Sequence, residues 1–164
     1  MRKLFFCMII FAGIVLFAVA CGRDDYVPKI DTKIYFVDTS LGRLLPYSDE
    51  VIDGEIGDTA QDALNKIISG RDRNENIRRI VPDTDGCLTV RVDGNIGYVD
   101  ISSNIKEEMI ASRDIEKLFI YQIVDTLTSI KGIRFVKFTI DGAIHKDFLG
   151  FYDMRDVYSY RYPE

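Results

Sequence analysis

Apolar and polar positions follow two different periods along this chain, and the switches between them predict its elements. Lys33-Ile34-Tyr35-Phe36-Val37-Asp38 is dense in aromatic and β-branched residues and predicts a strand. Leu41 to Ile52, with a turn at Gly42, predicts a second extended piece. Ala60, Ala63, Leu64, Ile67 and Ile68 then recur at helical spacing. Asp58 or Thr59 is placed to cap that helix, and Gly70 to stop it after Ser69. Arg71 to Arg79 reads as a polar connection, Ile80-Val81-Pro82 as a return to the core, and Asp83-Thr84-Asp85-Gly86 as a turn.

Strict alternation follows. Leu88, Val90 and Val92 alternate with Thr89 and Arg91, Asp93-Gly94 supplies a turn, and Ile96 to Ile101 returns as the second strand of a hairpin. From Ser112 or Asp114 to Lys131 the period is helical again. Ile115, Leu118, Phe119, Gln122, Ile123, Thr126, Leu127 and Ile130 lie on one stripe, apolar except for Gln122 and Thr126, and Gly132 ends the helix. Phe135 to Asp141 is a last alternating strand, closed by a turn at Asp141-Gly142, and the Tyr-rich tail is placed to add an edge strand. A strand, a helix and a strand in succession make a crossover, so Ile96–Ile101 and Phe135–Asp141 should run parallel if they share a sheet. The fold class is α+β: a small mixed sheet with two helices packed on one face and the other face wetter, in the order αββαβ, preceded by an extra strand.

The first residues carry a different pattern. Arg2 and Lys3 precede an uncharged apolar stretch, Leu4 to Ala20, which ends in Ala18-Val19-Ala20-Cys21 and then turns polar at Gly22-Arg23-Asp24-Asp25. Positive, apolar, small is the order of an export signal, and the apolar run is short for a membrane span; an uncleaved N-terminal anchor and a signal peptide without lipid are the alternatives, and each places the body outside the cytoplasm. The ending resembles a lipobox, the processing site of bacterial lipoproteins, although Ala18 replaces the Leu usual at its place. That resemblance implies acylation of Cys21 and a body outside the cytoplasm, anchored by lipid at the cell membrane. Residues 1–21 are thus expected to be a signal peptide, 22–32 a tether, and 33–164 one domain.

Composition narrows the function. The chain has 164 residues, 47% of them hydrophobic, which suffices for one cored domain. Its formal net charge is -5. Removing Arg2 and Lys3 leaves 19 basic residues against 26 acidic ones, a net of -7, which argues against a nucleic-acid partner. Of 3 cysteines only Cys87 lies in the body, so no internal disulfide can form there, and Cys87 reads as a small apolar filler.

Candidate chemistry is sparse. His145 is the only imidazole, sits past a strand-end turn beside Lys146 and Asp147, and reads as a solvated loop residue. One His and one body Cys cannot make a zinc site. Asp83, Asp85 and Gly86 resemble the opening of a calcium loop but lack its later acids, so a turn is the better reading. Glu107-Glu108 and Asp49-Glu50 are sequence neighbours that point apart, unlike a glycosidase pair. No catalytic residue, metal or cofactor is assigned. The tail gathers Phe148, Phe151, Tyr152, Tyr158, Tyr160 and Tyr162 with Arg155 and Arg161. It could close the domain as an edge strand, meet a protein partner, or stack on sugar rings.

The order of these pieces resembles the GerMN domain of sporulation and germination lipoproteins. The matching stretches are Lys33-Ile34-Tyr35-Phe36-Val37, Leu44-Leu45-Pro46, the helix ending Ile68-Ser69-Gly70, Ile80-Val81-Pro82, Val90-Arg91-Val92-Asp93-Gly94, Tyr98-Val99-Asp100-Ile101-Ser102, Gln122-Ile123-Val124-Asp125-Thr126-Leu127-Thr128, Gly132-Ile133-Arg134-Phe135-Val136 and Ile140-Asp141-Gly142. They cover about Lys33 to Gly150. The chain departs from the family at Pro82-Asp83-Thr84-Asp85-Gly86, near Tyr47, where an Arg is usual, and around Asp156-Val157-Tyr158. The resemblance implies a non-enzymatic role outside the membrane in endospore formation or germination, and a likeness to ring-building motifs, small αββαβ domains that associate side by side. The expected partners are envelope or sporulation-complex proteins, with self-association at a sheet edge as a further expectation. A peptidoglycan-binding or wall-hydrolase accessory role is the alternative.

Overall fold

The computed structural model describes residues 27–70 and 76–160. Two sheets, rather than one, enclose a layer of two helices. The first sheet has the order β2-β1-β3, built from β1 (Lys29–Asp38), β2 (Arg43–Ile52) and β3 (Ile77–Arg78), all antiparallel. The second has the order β4-β5-β6-β7, from β4 (Leu88–Asp93), β5 (Ile96–Ile101), β6 (Phe135–Ile140) and β7 (Tyr158–Ser159). Between them run α1 (Ile56–Ser69) and α2 (Arg113–Thr128), each touching strands of both sheets. The αββαβ order stands as expected. The crossover through α2 does place β6 parallel to β5, with Ile96 opposite Phe135 and Ile101 opposite Ile140.

The leading strand is half of a ten-residue hairpin. β1 begins at Lys29, four residues inside the segment expected to be a tether, and pairs with β2 along its whole length. Lys29, Asp31 and Lys33 are exposed, so this stretch carries no hydropathy signal. Pairing, which hydropathy does not report, makes it a strand. The second half of β1 reaches the core, where Ile34, Phe36 and Val51 are fully buried.

One end of each helix differs from that expected. α1 starts at Ile56, and neither Asp58 nor Thr59 caps it. Thr59 instead donates its hydroxyl to the Ile52 carbonyl at 2.8 Å. α2 does start as expected, with Ser112 Oγ accepting from the Ile115 amide at 3.2 Å. It stops at Thr128, short of Lys131. There the hydroxyls of Thr128 and Ser129 also donate to the carbonyls of Val124 and Thr126, at 2.7 Å each, and so compete with continuation of the helix ladder. All six residues from Gln122 to Leu127 are buried. A helix packed on one sheet would expose some of them; this one is covered from both sides. That explains why Ile120 and Val124, off the expected stripe, are fully buried while Leu118 is only half-buried.

The turns follow from backbone chemistry. The β4–β5 loop is Gly94-Asn95, one residue later than expected, since Asp93 still pairs with Ile96. Only Gly94 of the two has positive φ, at 60°, as a type II′ turn requires. At the end of β6, Asp141 and Gly142 have φ of 49° and 75°, the type I′ pattern, and Ile140 and Ala143 exchange both backbone hydrogen bonds. Ser103–Glu108 forms a 3-10 turn that buries Ile105.

Candidate functional site

Residues singled out for their chemistry are scattered. His145 lies exposed in the loop after β6. Cys87 is buried at the start of β4, and burial pushes its thiol pKa up, as expected of an inert filler. Asp83 is exposed and pairs with Arg79 at 2.9 Å, Asp85 is exposed, and Gly86 has the positive φ of a turn. Glu107 and Glu108 are exposed in the 3-10 turn. Asp49 is buried in β2, where its carboxylate accepts from the Glu50 amide at 2.9 Å, while Glu50 faces solvent. Cys21, and with it the leader, lies outside the described residues, as do Arg161 and Tyr162. Among the described residues no helix is long and apolar enough to cross a membrane.

What the fold does assemble is a set of polar side chains that complete backbone edges. At the inner seam α2 meets β1. Gln122 Nε2 donates to the Tyr35 carbonyl at 2.9 Å, Thr126 Oγ1 accepts from the Tyr35 amide at 3.0 Å, and Ser129 Oγ donates to the Lys33 carbonyl at 2.8 Å. Three side chains, each about one helical turn from the next, thereby do for β1 what a neighbouring strand would do. From Val37 onward the same edge is taken over by β3. The Gln and Thr that interrupted the apolar stripe are thus the ligands of a strand. Gln122 Oε1 itself has no hydrogen-bond partner among the described residues.

At the outer seam α1 treats β2 and β4 the same way. Gln61 Oε1 accepts from the Val90 amide at 2.9 Å, and its Nε2 donates to the Leu88 carbonyl at 3.1 Å. Asp62 Oδ2 accepts from the Ile52 amide at 2.9 Å. Local periodicity could not reveal these roles, because the partners of Gln61 lie 27 and 29 residues away.

The tail closes the domain. Tyr158 and Ser159 pair with Val136 and Phe135, making the expected edge strand. Phe148, Met154 and Tyr158 are buried, and Phe148 stacks on Phe119 with ring centroids 5.4 Å apart. The fully buried Glu116 holds this segment, accepting from the amides of Leu149 at 2.9 Å and Phe151 at 2.8 Å. Glu116 was not singled out in the sequence. The signal was its place on the buried stripe of α2 with Ile120, Ile123 and Leu127. Tyr35 is buried, and its hydroxyl donates to that of Tyr160 at 3.1 Å; burial first, and then this contact, push its pKa up. Tyr160 and Phe151 each remain 40% exposed. Farther along, Arg155 hydrogen-bonds Asp153, with Nε 2.8 Å from Oδ1, and holds its carboxyl pKa down at about 2.

The corner at the C-terminal ends of β5 and β6 is similarly self-contained. Asp100 Oδ1 accepts from the Thr139 hydroxyl at 2.6 Å and the Gly142 amide at 2.8 Å, and Asp141 Oδ1 accepts from the Ser103 amide at 3.0 Å. The loops beyond it expose Ile110 and Ile144, which are 75% and 74% accessible.

Three solved structures share this architecture. A candidate lipoprotein from Clostridium perfringens matches with a TM-score of 0.56 at 19% identity, over 84% of this chain and 92% of that one. The tandem GerMN domains of the sporulation protein GerM from Bacillus subtilis match with a TM-score of 0.62 at 23% identity, over 80% of this chain and 46% of that one. The first of those GerMN domains alone gives a TM-score of 0.61 at 23% identity, over 79% of this chain and 97% of that one. At such identities these likenesses speak for the fold. No match was found among curated protein sequences. A family model described as Germane, sporulation and spore germination, matches residues 33–145, more than half of the chain, and the chain therefore belongs to the Germane family.

Proposed function

We propose that this chain is a non-catalytic module, anchored by lipid at Cys21 on the outer face of the cell membrane, that binds protein partners in an envelope assembly of sporulation or germination. The carrying observation is where the polar side chains of the family-like stretches are used. Gln122, Thr126, Asp100 and Asp141 are all engaged with other parts of the same fold. Residues spent in this way make a scaffold, and they support a role in presenting a surface. The acidic net charge of -7 after leader removal disfavours nucleic acid as the partner. The lipid anchor has a direct test. Cys21→Ala should release the chain from the membrane fraction while the domain still folds; a variant that stays membrane-bound would refute the anchor. The assembly role is tested by timing and capture. The chain should accumulate during sporulation or germination, and cross-linking in the intact envelope should trap protein partners.

The half-exposed rings of Tyr160 and Phe151 favour a second reading, binding of peptidoglycan. Truncation of the tail cannot test it, because the tail carries the buried Met154 and Tyr158. Tyr160→Ala and Phe151→Ala in a peptidoglycan pull-down can. Strong retention that both substitutions abolish would favour the glycan reading over the protein one.

A further inference from the structure

We infer that the two long exposed sheet edges of this domain are closed to strand addition, with Gln61 as the gate on β4, so that partners and further copies meet it through side chains. The inference rests on the reading of the chain as a protein-binding module and specifies its mode of contact.

On β2, the backbone groups of alternate residues face outward. Tyr35 and Lys33 turn theirs towards α2, so Ile34 and Phe36 face β2, and their partners Tyr47 and Leu45 face β1. Leu44, Pro46, Ser48, Glu50 and Ile52 are left on the outer edge. Pro46 has no amide hydrogen to donate. The Glu50 amide is taken by the Asp49 side chain, and the Ile52 amide and carbonyl by Asp62 and Thr59. The donors left are those of Leu44 and Ser48, with the proline between them. An incoming strand needs consecutive donors at alternate positions, and this edge does not supply them.

On β4 the outward residues are Leu88, Val90 and Val92, since Asp93 closes the hairpin against Ile96. The side-chain amide of Gln61 presents a donor and an acceptor side by side, as a neighbouring strand would, and it occupies the Leu88 carbonyl and the Val90 amide together. The donors left over are the amide of Leu88, a wholly buried residue, and that of Val92, beside the turn, with the occupied Val90 amide between them. Asn65 Oδ1 accepts from Gln61 Nε2 at 3.1 Å and helps to fix its rotamer. The remaining edge strands, β3 and β7, are two residues long, too short to template a partner.

The test uses the full-length chain in detergent, with residue-resolved amide hydrogen exchange and light scattering after size exclusion. In the wild type the Val90 amide should exchange at least about tenfold more slowly than that of Val92, and any rise of mass with concentration should leave the Val92 and Ser48 amides unprotected. Gln61→Ala should erase the difference and produce concentration-dependent association. Gln61→Glu keeps an acceptor for Val90 but offers no donor to Leu88, and it should retain the Val90 protection. If Gln61→Ala unfolds, shown by loss of protection at Val99, the exchange pattern of the wild type and of Gln61→Glu decides. Equal exchange at Val90 and Val92 in the wild type would overturn the inference. So would wild-type oligomers in which the Val92 and Ser48 amides gain protection, which would show sheets continuing from copy to copy. Failure to capture an envelope partner would count against the proposed function and leave these readouts unchanged.

Discussion

The inner and outer seams use the same device for different ends. In both, a glutamine on a helix offers its amide to a strand that lacks a neighbour. Gln122 is wholly buried, and with Thr126 it joins the three-stranded sheet to the helix layer. Gln61 is partly exposed and stops β4 from acquiring a further strand. Burial sets the magnitude. An unmet carbonyl in the interior loses its hydrogen bond and has no water to replace it, whereas water reaches an edge strand. The inner seam should therefore matter for stability and the outer one for association.

The largest expected effect follows from that difference. Gln122→Ala leaves the Tyr35 carbonyl without a donor and opens a cavity beside it, and should cost about 3 kcal/mol in urea unfolding. Gln61→Ala should cost about 1 kcal/mol or less by the same measurement, and comparable losses would break the contrast. Thr126→Val sharpens it. The shape is nearly kept while the buried Tyr35 amide loses its acceptor, so a loss of about 1–3 kcal/mol isolates the hydrogen bond from the packing. Gly132→Ala probes the joint between the two seams, because Gly132 follows α2 and faces α1. Its φ is 110°, and an added Cβ would lie 2.8 Å from Ile56 Cδ1. A cost of about 1–3 kcal/mol is expected from the backbone strain alone, with some relief by rotation of Ile56.

The smallest effect concerns pH and lies away from both seams. The ordinary value for Asp153 is 3.8, and its hydrogen bonds with Arg155 lower it to about 2 in the folded chain. A depressed carboxyl contributes stability above its ordinary pKa, and that contribution fades as pH falls from about 4 towards 2. Amide exchange in the segment around Met154 should rise over that window. Asp153→Asn should flatten the dependence while leaving exchange in β5 and β6 unaltered.

The sequence carried the fold order well because most of its elements bury one face. The β4–β5 alternation and the α2 period each report a core-facing stripe, and both elements fall near where that stripe places them, with the hairpin turn one residue later and α2 ending at Thr128. The start of β1 escaped because Lys29, Asp31 and Lys33 gain backbone partners without losing water. The edge-completing residues escaped for a related reason. Gln122 and Thr126 were visible as polar interruptions at positions four apart, but the strand they serve lies 87 and 91 residues earlier. Periodicity says that such residues are inside; only topology says what they touch.

Glu116 makes the fit of α2 depend on the tail. Its carboxylate is wholly buried at the start of α2, and the amides it accepts from belong to Leu149 and Phe151. Without that stretch in place, docking α2 into the interior would leave a buried carboxyl group without its donors. Burial of the Glu116 carboxyl and closure of the tail over α2 are therefore a single event, and neither is complete without the other.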